Sequence, residues 1–429
     1  MVGIKRIWLI NHYATRMYKD KGGRHFSFAK YLKLYGYEPH IICANTYHDS
    51  NKKVPCSTRK SVFYDRCIVD DIPFVFLKTT SAIGNGIKRI FNMLFFFINL
   101  LASSKFISSQ YGKPDIILAS SVHPLTMVAG ILICKRMKIP CICEIRDLWP
   151  EAIFTKHKYL EKSMLGKIMQ RGEYWIYKKA DALIFTMEGG RDYIQKMKWD
   201  IKSGGDVDMQ KAFYINNGVD LDEFEKDSLA AINSQTIFVD QSDDSKIFLV
   251  VYVGAIRSLN NIEILVETAF YLKDYHDIKI YVYGEGNKKE TFIADVQRRN
   301  LKNISFMNNI DRRDIPNMLK KSSLNILSYN QSQWNWSRGS SSNKLFEYMA
   351  SGKPIISTCQ MGYSIIDKYS CGVEIENATA QQLGNEILRF KNMSKEEYDM
   401  YCQNARKGVK DFDFKELTKK LINIMESLG

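Results

Sequence analysis

Twice along this chain, apolar runs of strand length alternate with amphipathic helical stretches, and that alternation decides most of what it can fold into. In the first series, residues 5–10, 38–43, 115–120, 140–145 and 182–186 read as strands. Helical patterns at 24–35, 125–137 and about 161–180 fall between them. A second series has strands at 247–253, 278–283, 304–307, 323–327 and 354–357, with helices at 263–272 and 314–321. Several of these strands are apolar at nearly every position, which suits parallel strands covered on both faces. The βαβα order therefore predicts an α/β protein with two Rossmann-like domains, each built on a parallel sheet. A chain of 429 residues is long enough for two such cores. The expected division is a first domain over 1–216, a linker over 217–245 that includes the polar stretch Asp240-Gln-Ser-Asp-Asp-Ser245, a second domain over 246–408, and a last helix over 409–429.

Composition is globular, with 45% hydrophobic and 25% charged residues. The nine cysteines lack paired metal spacing and sit mostly in apolar runs, which fits reduced thiols and a cytoplasmic protein. The N-terminal apolar stretch is short for a signal peptide and reads as a buried strand. Net charge is +14, and it is lopsided: residues 1–215 carry 34 Lys/Arg against 18 Asp/Glu, whereas the rest is slightly acidic. Such asymmetry points to an anionic partner for the first half, either nucleic acid or an anionic membrane surface. Residues 87–107 favour the membrane. Their continuous apolar part is shorter than a bilayer span, is interrupted by Asn92 and Asn99, and is flanked by Lys88, Arg89 and Lys105. Phe95, Phe96 and Phe97 beside those cations suit a helix lying in the interface; the competing reading is a buried core helix. No interleaved aromatic and basic residues on strands, and no nucleic-acid motif, support the other partner.

The strongest chemical signal is Ser340-Ser-Ser-Asn-Lys-Leu-Phe-Glu-Tyr-Met-Ala-Ser-Gly-Lys-Pro-Ile-Ile-Ser357. A polar loop running into a helix start offers free backbone N–H groups and a positive dipole end, which suits phosphate. Ser342 and Asn343 lie at that start, Lys344 adds a full charge, and Glu347 follows one turn later on the same face. An ordinary capped helix is the competing structural reading. Gly22-Gly23-Arg24-His25 sits between the first strand and first helix, where glycine allows close backbone approach to a ligand. Ser120-Ser-Val-His123-Pro124 ends a strand and places His123 at its tip. Glu144-Ile-Arg146-Asp147-Leu-Trp149-Pro150-Glu151 puts a charged pair at another strand end, where Asp147 could act as base or orienter for a hydroxyl; an Arg146–Asp147 ion pair bracing the loop is the alternative. Gly254 and Gly284-Glu285-Gly286 follow strands of the second series, and Asn216-Asn217-Gly218-Val219-Asp220 reads as a turn.

These motifs, in this order, resemble those of the retaining GT-B glycosyltransferases of the large family 4 type. The 340–357 stretch resembles their sugar-nucleotide signature, E-x7-E followed by a small-Gly-x-Pro-Val/Ile strand. Glu347 matches the second glutamate, while Gly339 stands where the first belongs. That departure is similar to bacterial O-antigen and capsule transferases such as N-acetyl-L-fucosamine transferases, with a pattern like G-x-S-P-N-K-L-F-D/E-Y and an R-D-L-W-P block. The resemblance implies a cleft between two domains and metal-independent, retaining transfer of a sugar from a nucleotide diphosphate sugar, UDP-linked by expectation. The acceptor implied is a lipid diphosphate-linked saccharide at the inner face of the cytoplasmic membrane. It implies donor-side roles for Gly22, Gly23, Gly254, Arg257, Gly284, Gly286, Gly339, Ser342, Asn343, Lys344 and Glu347, with no cofactor and no metal. Arg146, Asp147 and Glu151 are implied on the acceptor side, and Glu347, Asp147 and His123 as catalytic. Family members commonly hold the diphosphate with an Arg and a Lys at positions that here are Ala255 and Asn260, so Arg257 is expected to substitute. A sugar-nucleotide epimerase of the same fold and a non-catalytic membrane- or nucleic-acid-binding protein are the rival readings.

Overall fold

A computed structural model describes residues 5–429 except 49, 55–63, 85, 156, 231–246, 309 and 334. Two compact units emerge: residues Met1–Asn216 with Phe414–Gly429, and residues Asn217–Asp413.

The first unit is built on eight strands: β1 (Arg6–Ile10), β2 (Glu38–Ala44), β3 (Tyr64–Val69), β4 (Ile72–Leu77), β5 (Ile116–Ser121), β6 (Cys141–Ile145), β7 (Ala182–Phe185) and β8 (Ala212–Tyr214). They lie in the order β3-β4-β2-β1-β5-β6-β7-β8, and every pair is parallel except β3 with β4. That edge hairpin turns at Asp70 and Asp71, both with positive φ, a short polar turn suited to residues that tolerate the left-handed region. On one sheet face, helices Arg24–Leu34 and Phe414–Glu426 pack through Phe28, Leu32, Leu417 and Leu421. Phe28 and Phe414 meet edge to face at 5.6 Å, so the chain's last helix completes the first unit's core. It starts at Phe414; the 409–412 segment, expected to belong with it, is a separate 3-10 turn in the second unit. On the opposite face lie helices Ile87–Tyr111, Pro124–Met137 and Met164–Lys179, with Phe96, Leu100, Met127, Ile131, Ile176 and Tyr177 in a second core.

The second unit has β9 (Phe248–Val253), β10 (Ile278–Tyr283), β11 (Ile304–Met307), β12 (Leu324–Leu327), β13 (Ile355–Ser357) and β14 (Gly372–Glu374). They form an all-parallel sheet in the order β11-β10-β9-β12-β13-β14. The expected linker is corrected over its first part. Residues Leu221–Ala230 form a helix started by Asp220, whose carboxylate accepts from Glu223 N at 3.1 Å. Buried Val219 and Phe224 tie this stretch into the second unit's core, which is why it is not a free connection. The rest, including 240–245, lies outside the described residues.

One buried carboxylate organises the strand ends of the first unit. Glu144 on β6 accepts from Arg24 Nε at 2.7 Å, His25 Nε2 at 2.9 Å and Ser120 Oγ at 2.6 Å. His25 Nδ1 faces the Asn11 amide just after β1 at 3.0 Å, and Arg24 donates onward to the carbonyls of Ile215 (2.9 Å) and Asn216. Burial raises the Glu144 pKa, yet Arg24 and His25 outweigh it and hold the group well below the ordinary carboxylate range. Arg24→Ala would leave a charge with no solvent and one cation fewer. We expect it to cost about 3–5 kcal/mol in urea unfolding, the usual penalty for breaking a buried pair from one side; a change within experimental error would show that Glu144 is not held as an ion.

Candidate active site

Three chain segments of the second unit converge on one ammonium group. The first is the loop after β9, where Gly254 has φ of +152°. A Cβ there would sit 2.4 Å from Lys344 Cε, so only glycine admits the lysine side chain. The second is the loop after β10: Gly284 passes so close that a Cβ would lie 1.9 Å from the Gly254 carbonyl oxygen, and Gly286 approaches Ile256 in the same way. The third is helix Asn343–Ser351 with its apolar face, Leu345, Phe346, Tyr348 and Met349, in the core. Tyr348 Oη accepts from Val253 N at 3.0 Å and so pins this helix to the end of β9.

Lys344 Nζ donates to Tyr252 Oη at 3.0 Å and lies over the faces of Tyr252 (4.6 Å) and Tyr329 (4.8 Å). With the Asn260 amide turned to satisfy both its ends, its oxygen accepts from Nζ at 3.0 Å and its nitrogen donates to Ala255 O. The ammonium thus has ring faces and neutral oxygens for company and no ion pair among the described residues. Burial pushes its pKa down to about 7, with Glu347 acting against the shift. A cation held this way gains by meeting an anion.

The helix start is open. Ser342 occupies the N-cap position, but its hydroxyl pairs with Tyr329 Oη at 2.8 Å and no side chain caps the helix, so the capped-helix reading does not hold. Glu347, half-buried one turn on, has its pKa raised by burial, with Arg312 and Lys344 opposing. Its carboxylate has no hydrogen bond or ion pair among the described residues. Gly339, where relatives carry a glutamate, has φ of +92° after the 3-10 turn Trp336–Arg338. A side chain there would be strained.

Not every expected residue joins this group. Arg257 is exposed at the start of the 3-10 turn Ser258–Asn260, in the loop that follows β9, and makes no ion pair among the described residues. Arg312, which the sequence reading missed, lies near enough to Glu347 to lower its pKa. Tyr252 and Tyr329 were missed too, their only signal an aromatic at or beside a strand end; Asn260 had stood out only as the residue in place of the family's lysine.

The other expected residues belong to the first unit. Gly23 has φ of +98° and starts helix Arg24–Leu34, with Gly22 buried beside it; the adjacent Arg24 and His25 are committed to Glu144. His123 is buried, with its Nε2 2.6 Å from Nδ1 of His12. Burial pushes the His123 pKa down to about 3, so at neutral pH it is an uncharged hydrogen-bonding group. His12 had no sequence signal beyond its place just after β1. Arg146 and Asp147 make no ion pair with each other within 4.0 Å, which removes the bracing alternative. The Asp147 pKa is raised by burial, with Arg146 opposing. Glu151 is paired with Lys196 at 3.1 Å, so its carboxylate already has a structural partner.

Two sheet-and-helix units with these loops at the strand ends define the GT-B fold. Residues 26–223 match the family model for Glycosyltransferase Family 4, and residues 233–408 match that for Glycosyl transferases group 1. Two glycosyltransferase family models, one over each half of the chain, thus match a GT-B fold. It is similar to TuaH of Bacillus subtilis (strain 168), a glycosyltransferase assigned provisionally to teichuronic acid biosynthesis, at 22% identity over 217 residues. That match covers 51% of this chain and 50% of TuaH, so the chain spans about half the length of the curated relative it matches. Among solved structures, sucrose-phosphate synthase from Thermosynechococcus elongatus superposes with a TM-score of 0.70 at 16% identity, over 99% of both chains. HepE of Anabaena in complex with UDP gives 0.65 at 13% identity, over 99% of this chain and 100% of that one. At such identities the structures speak for the fold alone.

Lys344→Ala should weaken UDP binding by roughly 1.5–3 kcal/mol, the worth of one charge-assisted hydrogen bond. Thermal shift at matched UDP concentrations measures it. Equal stabilisation of variant and parent would remove the ammonium from the ligand site.

Proposed function

We propose that this chain transfers a sugar, with retention of configuration, from a nucleotide diphosphate sugar to a lipid diphosphate-linked saccharide. The setting proposed is bacterial surface polysaccharide synthesis, O-antigen or capsule, on the inner face of the cytoplasmic membrane. One observation carries the donor half of the reading: an uncapped helix start, a half-buried ammonium and a carboxylate, neither of them ion-paired among the described residues, lie together at the start of one helix. The N–H groups and Lys344 suit a diphosphate, which becomes more negative as the glycosidic bond breaks, so the same contacts strengthen in the transition state. Glu347 suits a sugar hydroxyl as hydrogen-bond acceptor. Lys344 and the helix dipole supply the positive charge that a metal ion supplies in other transferases, which supports a metal-independent reaction. UDP is the favoured nucleotide; the solved relative HepE was captured with UDP.

On the acceptor side the reading assigns Asp147 to orient or deprotonate a hydroxyl and neutral His123 to hydrogen-bond a sugar. The TuaH description supports a polysaccharide product.

A thermal-shift panel of UDP, GDP, dTDP and CMP identifies the base, because a ligand that binds only the native state raises its melting temperature. Glu347→Gln should keep the fold and nucleotide affinity and lower turnover about 10-fold or more, roughly 1.4 kcal/mol of transition-state contact. Gly339→Glu should not rescue it, because φ at 339 is unfavourable for a side chain. Full activity in Glu347→Gln would reduce Glu347 to a helix-bracing role. The anomeric proton signal of the product, read by NMR, decides between retention and inversion.

A further inference from the structure

Helix Ile87–Tyr111 has two apolar faces, and only one of them is used by the fold. Its inner stripe, with Phe96, Leu100 and Ile107, belongs to the first unit's core, and Phe96 stacks on His12 at 4.3 Å. Asn99, which interrupts the apolar run, spends its amide on the carbonyl of Lys78 at 2.6 Å, and Asn92 bonds Thr80 O. The outer stripe, Ile87, Ile90, Phe91, Leu94, Phe95 and Ile98, is exposed at helical spacing, with Ile87 at 68% and Phe91 at 51%. Phe95 and Phe96, adjacent in sequence, therefore have opposite fates. By length and composition the helix could cross a membrane, and a third of its most apolar window is buried. Crossing would strip the sheet of one of its covering helices.

The neighbouring helices continue this surface. Pro124–Met137 and Met164–Lys179 cover the same sheet face, and the latter exposes Met164, Leu165 and Ile168. Exposed cations stand among these apolar groups: Lys88, Lys105, Arg136, Lys167 and Arg171. Across all three helices the sole carboxylate is Glu173, which is buried and accepts hydrogen bonds from Tyr177 and Tyr193. Three adjacent helices thus present apolar side chains and positive charge with no exposed carboxylate. At their centre, a groove of about 450 Å³ between the first two is lined by Ile98, Leu101, Ala102, Lys105 and Arg136.

We propose that this three-helix face is a docking surface for anionic phospholipid, with the outer stripe of Ile87–Tyr111 lying among the acyl chains and a lipid phosphate seated between Lys105 and Arg136. Apolar insertion and attraction to anionic headgroups add together on such a surface. A second copy of the chain fits it less well, because a two-fold contact would set the same cations against each other. The inference deepens the proposed glycolipid reading by naming the surface that brings the enzyme to its acceptor, but its evidence lies wholly within the first unit.

Co-sedimentation of the full chain with phosphatidylcholine vesicles, with and without phosphatidylglycerol, tests it. The parent should bind the anionic vesicles far better, and less well at high salt. Phe91→Glu with Phe95→Glu should lower that binding about tenfold or more, since each exposed ring loses its apolar contact. Its melting temperature and UDP response should stay unchanged. Phe91→Ser with Phe95→Ser serves as the milder pair should the glutamates unfold the chain. Lys105→Glu with Arg136→Glu should abolish the preference for anionic lipid. Absence of parent binding, or parent-like binding by both phenylalanine pairs, overturns the proposal. So does a parent dimer in sedimentation velocity that these pairs make monomeric, which would assign the face to a second copy. Loss of UDP binding with vesicle binding intact would instead sink the donor reading and leave this one standing.

Discussion

The donor side of this protein rests on half-burying one ammonium group among rings and neutral oxygens, with no ion-paired carboxylate among the described residues. Lys344 reaches its place only because Gly254 has no side chain, and Gly254 keeps its path only because Gly284 lies flat against its carbonyl. Tyr252 and Tyr329 provide ring faces, and Asn260 provides a neutral oxygen. None of these neutralises the charge; they make it tolerable. A site so arranged is less comfortable empty than filled by an anion, and that difference is available as binding energy. The same geometry accounts for Ala255 and Asn260: the tyrosine hydroxyl donates to Ala255 O at 2.9 Å, and Asn260 stands where its amide meets the lysine directly.

The first unit solves a different problem with the opposite arrangement. Its buried charge, Glu144, is surrounded by donors from segments as far apart as 120 residues in sequence. Through them the residue after β1, the ends of β5 and β6, the start of helix Arg24–Leu34 and the segment at Ile215 and Asn216 are held in one network. This fixes the strand-end loops that carry His123 and Asp147 without using either residue. A saturated carboxylate reads as architecture; Lys344 and Glu347, which make no ion pair among the described residues, read as chemistry.

Much of this was legible in the sequence. Strands that are apolar throughout announced themselves, and β10 and β11 coincide with the expected runs. The hairpin of β3 and β4 did not, because Asp65, Arg66 and the two turn aspartates dilute its apolar signal. Strands β8 and β14, three residues each, are too short to carry a period. Lys344 and Glu347 stood out because they share a helix turn with a polar loop. Their surroundings did not, since Tyr252, Asn260, Arg312 and Tyr329 come from separate loops and strands and meet only in three dimensions. Glu144 was visible as a letter in a motif, but nothing local shows that a strand carboxylate is matched by Arg24. The phenylalanine run illustrates the limit in one dimension: sequence showed three rings beside cations, and the helix then divided them, with Phe96 inward and Phe95 outward.

The central claim is that a lysine held partly neutral becomes fully charged when a diphosphate arrives, and proton linkage tests it directly. With a free-state pKa of about 7, Lys344 is mostly neutral at pH 8. A bound diphosphate raises that pKa, so binding takes up a proton, and affinity falls as pH climbs from about 7 toward the bound-state value. Calorimetric titration of UDP at pH 8, in buffers of different ionisation enthalpy, measures the uptake. The account requires roughly one proton per UDP in the parent and close to none in Lys344→Met. Uptake near zero in the parent, or equal uptake in both proteins, would contradict it.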